Sequence, residues 1–266
     1  MRPLRHAYIF VLECVIGFDR NFITDRSAVS TNIASSLRFI IIIFPISEEI
    51  SFYLDSVGLT ATADSIIASS SSGITMSVIQ SDCKHPERCV IGHPFNPPHM
   101  IPLVEVVGGN KTSPEAIQQA MAFYAAIGKK PINLRKELPG HAANRLQAAL
   151  YREVVYLIEQ GILSVEDADA AVSWGPGLRW GVMGPSLLWH LGGGEGGIRH
   201  FMEHLMDPLA AMMKTLGNPE LTSELKQTIT QGVLREAGDR SVEQLTQEES
   251  EMLLGLLRLR AGSGRM

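Results

Sequence analysis

Residues 92–107 read GHPFNPPHMIPLVEVV and, with the three residues before them, form two apolar, strand-like segments joined by a proline-rich loop. The two segments are Cys89–Ile91 and Leu103–Val107. Proline fixes φ and restricts the residue before it, so the loop is stiff. It can hold His93, at the end of the first segment, in a set position relative to Glu105 in the second. A histidine oriented by a carboxylate can act as a general base; the alternative is a turn whose histidine only ends a strand.

The composition is that of a globular protein, with 266 residues of which 45% are hydrophobic and 19% charged. This length allows one large domain or two small ones with a sizeable core. The net charge is −5 and no basic patch is visible, so neither nucleic acid nor a membrane is an expected partner. The three cysteines, Cys14, Cys83 and Cys89, lack metal-ligand spacing and form no even disulfide set, which favours a reducing, cytoplasmic location.

Residues 1–50 have an atypical residue pattern. An apolar run that reaches Phe18 is interrupted by Glu13 and lacks a clear cleavage site, so it resembles a signal peptide only weakly. The segment Leu37–Ile46 is strongly apolar. Its length of about ten residues is too short for a bilayer, which needs about 20, so it predicts a buried strand.

The sequence pattern changes from mixed α/β to mainly helical near Pro139-Gly140. Before this point, Ala63–Ser69 predicts a parallel-type strand that ends in a Ser-rich turn, where open α/β sheets bind ligands. Ser113 and Pro114 predict the start of a helix. After it, segments such as Ala142–Gln160 carry apolar residues at helical spacing. We expect an incomplete Rossmann-like α/β domain over 1–138, followed by an all-α domain over 139–266.

Several motifs resemble those of the 3-hydroxyacyl-CoA dehydrogenase family and occur in the same order along the chain. Ser72 lies 21 residues before His93, and Glu105 lies 12 residues after it, as in the family. The segment from Pro139 to Arg145, which includes Asn144, matches the family's Pro-Gly-x-x-x-Asn-Arg motif. The end of the proline-rich loop is most similar to the branch that contains L-carnitine dehydrogenase and lambda-crystallin.

The resemblance implies an NAD-dependent oxidation of a 3-hydroxyl group to a ketone. It implies that His93 takes the hydroxyl proton, that Glu105 holds the other ring nitrogen, and that Ser72 bonds the hydroxyl oxygen near the nicotinamide ribose. It also implies that Asn144 orients the substrate or the histidine and that Asn96 contacts the nicotinamide side. Taken alone, Ser72 is equally well explained as a turn residue, and Asn144 as a helix cap.

Three tryptophans, Trp174, Trp180 and Trp189, lie within 16 residues. Aromatic faces bind quaternary ammonium groups, which makes Trp180 a candidate contact for a substrate such as carnitine, with Arg179 on its carboxylate. The alternative is that the tryptophans pack the helical core. An acyl-CoA is the other candidate substrate, although no Lys/Arg cluster suggests a site for its phosphates. His190, His200 and His204 suggest no complete metal site.

The N-terminal part departs from the family pattern. The family begins with a strand and a Gly-x-Gly-x-x-Gly turn for the pyrophosphate. Here Gly17 and Gly58 are the only glycines before Ser69. Two explanations stay open: an altered N-terminal sequence, or a true loss that leaves a catalytically impaired structural or dimerisation module. In either case we expect weak NAD binding by the chain as written, and a homodimer formed through the C-terminal helices.

Overall fold

The computed structural model describes residues 39–42 and 65–263. The chain divides into two compact units, Met1–Arg145 and Leu146–Met266. They are called here the α/β unit and the helical unit. The signal-peptide-like run and the family's missing glycine turn concern residues outside the described ones. The predicted domain boundary at 138/139 is not decided by this division and stays a prediction.

The α/β unit contains, among its described residues, a five-stranded sheet in which the strands follow one another in chain order. The first three strands are mutually parallel, the fourth is antiparallel to the third, and the fifth is parallel to the fourth. The strands are β1 Phe39–Ile42, β2 Ile66–Ser69, β3 Cys89–Pro94, β4 Leu103–Gly108 and β5 Lys130–Asn133. The strands predicted within Leu37–Ile46 and Ala63–Ser69 are therefore confirmed.

Strands β3 and β4 form the pair predicted around the proline-rich loop. Strand β3 extends to Pro94, beyond the expected end at Ile91, so His93 lies within the strand. In the β3–β4 register His93 is directly opposite Glu105. Directly opposed residues have their side chains on the same face of the sheet, close enough to interact.

Helices and apolar side chains cover both faces of this sheet. The helices are α1 Met76–Ile79, a 3-10 turn at Pro86–Arg88, and α2 Pro114–Ala126. Helix α2 begins as predicted, because the Ser113 hydroxyl accepts a hydrogen bond from the Ala116 N–H and Pro114 occupies the first helical position. One core cluster contains Ile67 and Ile91, and a second contains Val90 and Tyr124; all four are at most 2% exposed.

The second half of the chain is helical, as expected. Its helices are α3 Ala143–Glu159, which begins in the α/β unit, then α4 Val165–Ser173, α5 Pro176–Trp180, α6 Pro185–Gly192, α7 Gly197–His204, α8 Met206–Met213, α9 Ser223–Ala237 and α10 Val242–Gly262, with a 3-10 turn at Gly194–Gly196. Hydroxyl side chains at Ser164, Thr222 and Ser241 cap α4, α9 and α10 by accepting a backbone N–H.

The helical unit has a small core and much exposed apolar surface. Its buried cluster consists of Val154, Val155, Ile158, Val165, Ala168 and Leu225. The tryptophans do not belong to it: Trp174 is 80% exposed, Trp180 41% and Trp189 42%, so the explanation of core packing is wrong within this chain. No helix in the described part of the chain combines the length and apolarity needed to cross a bilayer.

Candidate active site

Three of the predicted site residues form a continuous hydrogen-bonded series in the α/β unit. The Nδ1 atom of His93 lies 3.0 Å from Oε2 of Glu105, and Nε2 lies 2.9 Å from Oγ of Ser72. Since a carboxylate only accepts hydrogen bonds, Nδ1 carries the hydrogen and donates it. Nε2 is then the accepting nitrogen, and the Ser72 hydroxyl donates to it. A neutral imidazole with a free lone pair on Nε2 is the form required of a general base.

The local fold explains why these side chains meet. His93 and Glu105 are opposite one another on β3 and β4. Ser72 lies in the turn that follows the carboxyl end of β2, the strand parallel to β3. Within that turn the hydroxyl of Ser71 accepts the N–H of Ile74, which fixes the backbone on either side of Ser72. Ser72 itself is exposed while His93 is buried, so the series runs from the surface inwards.

The buried carboxylate of Glu105 is held by the start of helix α3. Its Oε1 atom accepts hydrogen bonds from the backbone N–H groups of Ala142, at 2.8 Å, and Ala143, at 2.9 Å. Glu105 is 0% exposed, and a buried charge is costly unless it is paired and hydrogen-bonded. The N-terminal end of a helix supplies both unpaired N–H groups and a favourable dipole for an anion. Both carboxylate oxygens therefore have partners.

The surroundings of His93 favour its neutral form. Burial lowers its pKa below the ordinary value of 6.5, the hydrogen bond to Glu105 opposes this shift, and the nearby His141 lowers the pKa further. Because burial is the largest of these effects, the net shift is downwards. The imidazole is therefore unprotonated, and able to accept a proton, at neutral pH.

The other predicted residues are placed as follows. Asn144 is partly buried at the second position of α3, next to the N–H groups that hold Glu105; since the helix begins at Ala143, Asn144 is not the residue that precedes it. Asn96 is exposed in the loop that follows β3. Arg179 and Trp180 lie on the short helix α5 of the helical unit and are both exposed. The structure thus brings together Ser72, His93 and Glu105, while Asn144 directly follows the two residues whose N–H groups hold Glu105.

Sequence reasoning missed one side chain at this site, that of His141. It is 2% exposed, and its ring centroid lies 4.9 Å from that of His93. Its Nε2 atom lies 2.9 Å from the carbonyl oxygen of Ser71, the residue before Ser72. The available signal was a polar residue directly after Pro139-Gly140, at the entrance to an amphipathic helix.

The described residues fit the nicotinamide end of an NAD site. The carboxyl ends of the parallel strands β1, β2 and β3 lie at one edge of the sheet, which is where open α/β sheets bind nucleotides. Ser72 and His93 are at this edge, and a side chain added at Gly73 would meet no atom of the described residues within 4 Å. The spacing Gly-x-Gly-x-x-Gly does occur at residues 192–197, but it follows a helix rather than a strand and so is not the dinucleotide turn.

The histidines of the helical unit have other contacts. Nδ1 of His190 accepts the N–H of Ile198 at 3.0 Å, and the rings of His200 and His204 stack with centroids 4.4 Å apart. In residues 65–263 and 39–42, no group of three His, Cys, Asp or Glu side chains is arranged to hold a metal ion.

A Rossmann-like unit that carries a hydroxyl–imidazole–carboxylate series is compatible with an NAD-dependent dehydrogenase. Comparison with known families agrees: residues 23–138 match the model of the 3-hydroxyacyl-CoA dehydrogenase NAD binding domain, and residues 140–236 match that of the C-terminal domain. The chain belongs to the 3-hydroxyacyl-CoA dehydrogenase family, whose cofactor is NAD.

The similar curated proteins include two named L-carnitine dehydrogenase. The protein from Bacillus cereus is 44% identical over 74% of this chain and 60% of its own length. The protein from Pseudomonas putida is 43% identical over 76% of this chain and 63% of its own length. The chain thus spans somewhat less than two thirds of these two relatives. Among solved structures, the NAD⁺-dependent 5-formyl-3-hydroxy-2-methylpyridine 4-carboxylic acid 5-dehydrogenase shares 29% identity with a TM-score of 0.72, covering 88% of this chain and 75% of that one.

Proposed function

We propose that this chain is a dehydrogenase that oxidises the 3-hydroxyl group of a small hydroxy acid to a ketone with NAD. The observation that carries the proposal is the series Ser72–His93–Glu105, with the carboxylate fixed on the start of α3. Such an arrangement sets the tautomer of the imidazole and stabilises the imidazolium that forms when it takes a proton. The family membership supports NAD as the cofactor.

His93 is the general base of this proposal. Its Nε2 atom takes the hydroxyl proton of the substrate, and Glu105 stabilises the positive charge that results. Ser72, whose hydroxyl already points at Nε2, turns to hold the substrate oxygen. Asn144 orients the substrate carbonyl or the histidine, and Asn96 contacts the nicotinamide side. When bound, NAD supplies the hydride acceptor.

L-Carnitine is the first candidate substrate, because two similar proteins carry that name. Its trimethylammonium group would lie on the face of Trp180 and its carboxylate would pair with Arg179. Both side chains are exposed and so accessible to a ligand. A 3-hydroxyacyl-CoA is the alternative within the class, and the family name supports it equally.

The test is the formation of NADH, followed at 340 nm, by the full chain with L-carnitine and, separately, with 3-hydroxybutyryl-CoA. Replacement of His93 by Gln is expected to lower kcat by about 10²–10⁴-fold, the usual contribution of a positioned base. The affinity for NADH, measured by fluorescence titration, should be unchanged. The matched control is His85→Gln, since His85 is exposed in the same unit and outside the site. Turnover that survives in His93→Gln would contradict the assigned role.

A second candidate function is that of a catalytically impaired structural or dimerisation module. The observation in its favour is the exposed apolar surface of the helical unit, which includes Trp174, Met252 and Leu259, each at least 75% exposed. We propose that this surface forms a homodimer in either case. Sedimentation of the full chain measures the dimer, and the absence of both NADH binding and turnover would favour the module over the enzyme.

We also propose a domain boundary and a cellular location for the chain. We place the domain boundary at 138/139, which is supported by the ranges of the two family matches, 23–138 and 140–236. The cytoplasmic location rests on cysteine usage alone.

A further inference from the structure

The segment that enters helix α3 contacts His93, Glu105 and the residue before Ser72. Backbone N–H groups of Ala142 and Ala143 hold the carboxylate of Glu105. The residue before them, His141, contacts the ring of His93 and the carbonyl of Ser71. One short stretch of chain therefore reaches the base, the carboxylate behind it and the turn that carries the hydroxyl in front of it.

The hydrogen bond of His141 determines how its ring is oriented. The carbonyl of Ser71 can only accept, so Nε2 of His141 carries a hydrogen and donates it over 2.9 Å. Its Nδ1 atom is buried and has no hydrogen-bond partner among the described residues. The ring is tilted by 40° to that of His93, with a centroid distance of 4.9 Å. These distances allow direct packing between the two rings.

The backbone at His141 is in an uncommon conformation. Its φ is +53°, and in the described part of the chain it is the only residue other than glycine with positive φ. The left-handed region is unfavourable for an L-residue other than glycine. This conformation turns the side chain of His141 into the unit while the next two N–H groups point at Glu105. A residue kept there against a backbone cost indicates that its side chain has a function.

We propose that His141 is a positioning residue for the base: it fixes the Ser71–Ser72 turn and supports the ring of His93, so that the Ser72 hydroxyl and Nε2 of His93 face each other. This inference rests on the proposed role of His93. The groups that face His93 are the hydroxyl of Ser72, the carboxylate of Glu105 and the ring of His141. Of the two titratable neighbours, Glu105 raises the pKa of His93 and His141 lowers it.

Two substitutions separate the contributions of the ring and of its hydrogen bond. His141→Phe keeps a ring against His93 but loses the donor to Ser71, whereas His141→Gln keeps a donor and loses the ring. We expect kcat to fall about fivefold in His141→Phe, the effect of one lost hydrogen bond, and to recover most of that loss in His141→Gln. The KM for NAD should stay within twofold of the original. His141→Asn, which tolerates positive φ, shows whether any loss comes from the backbone.

The titration of His93 provides a readout that does not need turnover. Since neither Phe nor Gln can be charged, the pKa of His93 should rise in both variants, and the acid limb of kcat/KM should move to higher pH. Histidine NMR of the full chain follows this directly, with His93→Gln to assign the signal and His85→Gln as control. An unchanged His93 titration together with an unchanged kcat in both variants would overturn the inference. If the original chain oxidises no hydroxy acid, the proposed function fails, while the NMR titration still decides the role of His141.

Discussion

The two units bury their apolar side chains to different degrees. In the α/β unit, Val90, Ile91 and Val106 are fully buried on the sheet. In the helical unit the core residues retain 1–9% exposure, and the long helix α10 has no buried residue in its described length. A unit that completes its own core can hold side chains in fixed positions, which a proton-transferring site requires. Exposed apolar surface such as that of the helical unit is typical of interaction sites, which supports the proposed homodimer.

The largest expected difference is in the stability lost when either of two carboxylates that accept backbone hydrogen bonds is removed. Glu105→Ala leaves two partly buried N–H groups and Nδ1 of His93 without a partner, and should lower the free energy of unfolding by about 3–5 kcal/mol. Glu153→Ala in the helical unit removes one bond, to the N–H of Gly217, and should cost about 1 kcal/mol. Urea denaturation measures both values. Equal losses of stability would mean that the hydrogen bonds of Glu105 contribute no more than the single hydrogen bond of Glu153.

Substitutions at Gly92 and Gly255 test how closely the surrounding side chains pack in the α/β unit and in the helical unit. A methyl group added at Gly92 on β3 would overlap the hydroxyl of Tyr124, so Gly92→Ala should destabilise the protein by about 1–3 kcal/mol. At Gly255, inside α10, no described atom lies within 4 Å of an added methyl group, and Gly255→Ala should stabilise the protein by about 0.5–1 kcal/mol because alanine favours the helix. Thermal unfolding gives the sign of each change. A neutral Gly92→Ala would show that the sheet core is looser than described.

The exposed residues of α10 test whether a second copy covers the helical unit. Met252 and Leu259 are 78% and 75% exposed and, seven residues apart, lie on one side of the helix. Leu259→Arg should shift the chain towards the monomer in sedimentation experiments, with little change in the stability of the isolated chain. Val78→Arg is the control, because Val78 is 63% exposed on α1 of the α/β unit. If both variants dissociate equally, the contact does not involve α10.

The smallest expected effect is a pH dependence of stability that originates in the α/β unit. The pKa of His93 is lowered in the folded chain, chiefly by burial, so the unfolded chain binds the proton more readily. The stability contributed by neutral His93 is therefore fully present above pH 6.5 and is lost as the pH falls from there through the folded pKa. Denaturation at pH 7.5 and pH 5 should show a smaller pH effect in His93→Gln. The exposed His204→Gln should behave like the original chain.

Much of the α/β unit could be predicted from the sequence because its signals are local. The apolar segments around the proline-rich loop gave β3 and β4, and their spacing brought His93 opposite Glu105. Ser113 with Pro114, and Ser164 with Asp167, marked helix starts that the structure has. The anchoring of Glu105 on α3 was not predictable, since it joins residues 37 and 38 positions apart through backbone groups that have no sequence signature. The positive φ of His141 was not predicted either, because residues other than glycine seldom adopt it.

The exposure of the tryptophans is a feature that the sequence pattern did not predict. A cluster of three large aromatic residues in a helical region usually indicates a core. Trp189 does stack on Phe201, with centroids 4.8 Å apart, yet it keeps 42% of its surface exposed. Sequence pattern alone does not distinguish a surface buried within one chain from a surface that another molecule covers.

The central claim is that Glu105 acts through His93, and a double-substitution cycle tests it most directly. The kcat for hydroxy-acid oxidation is measured in the original chain, in His93→Gln, in Glu105→Gln and in the double variant. If the two residues form one series, the double variant should be no slower than His93→Gln alone, within about twofold. If the two losses multiply in the double variant, the carboxylate acts independently of the imidazole, and the proposed series is contradicted.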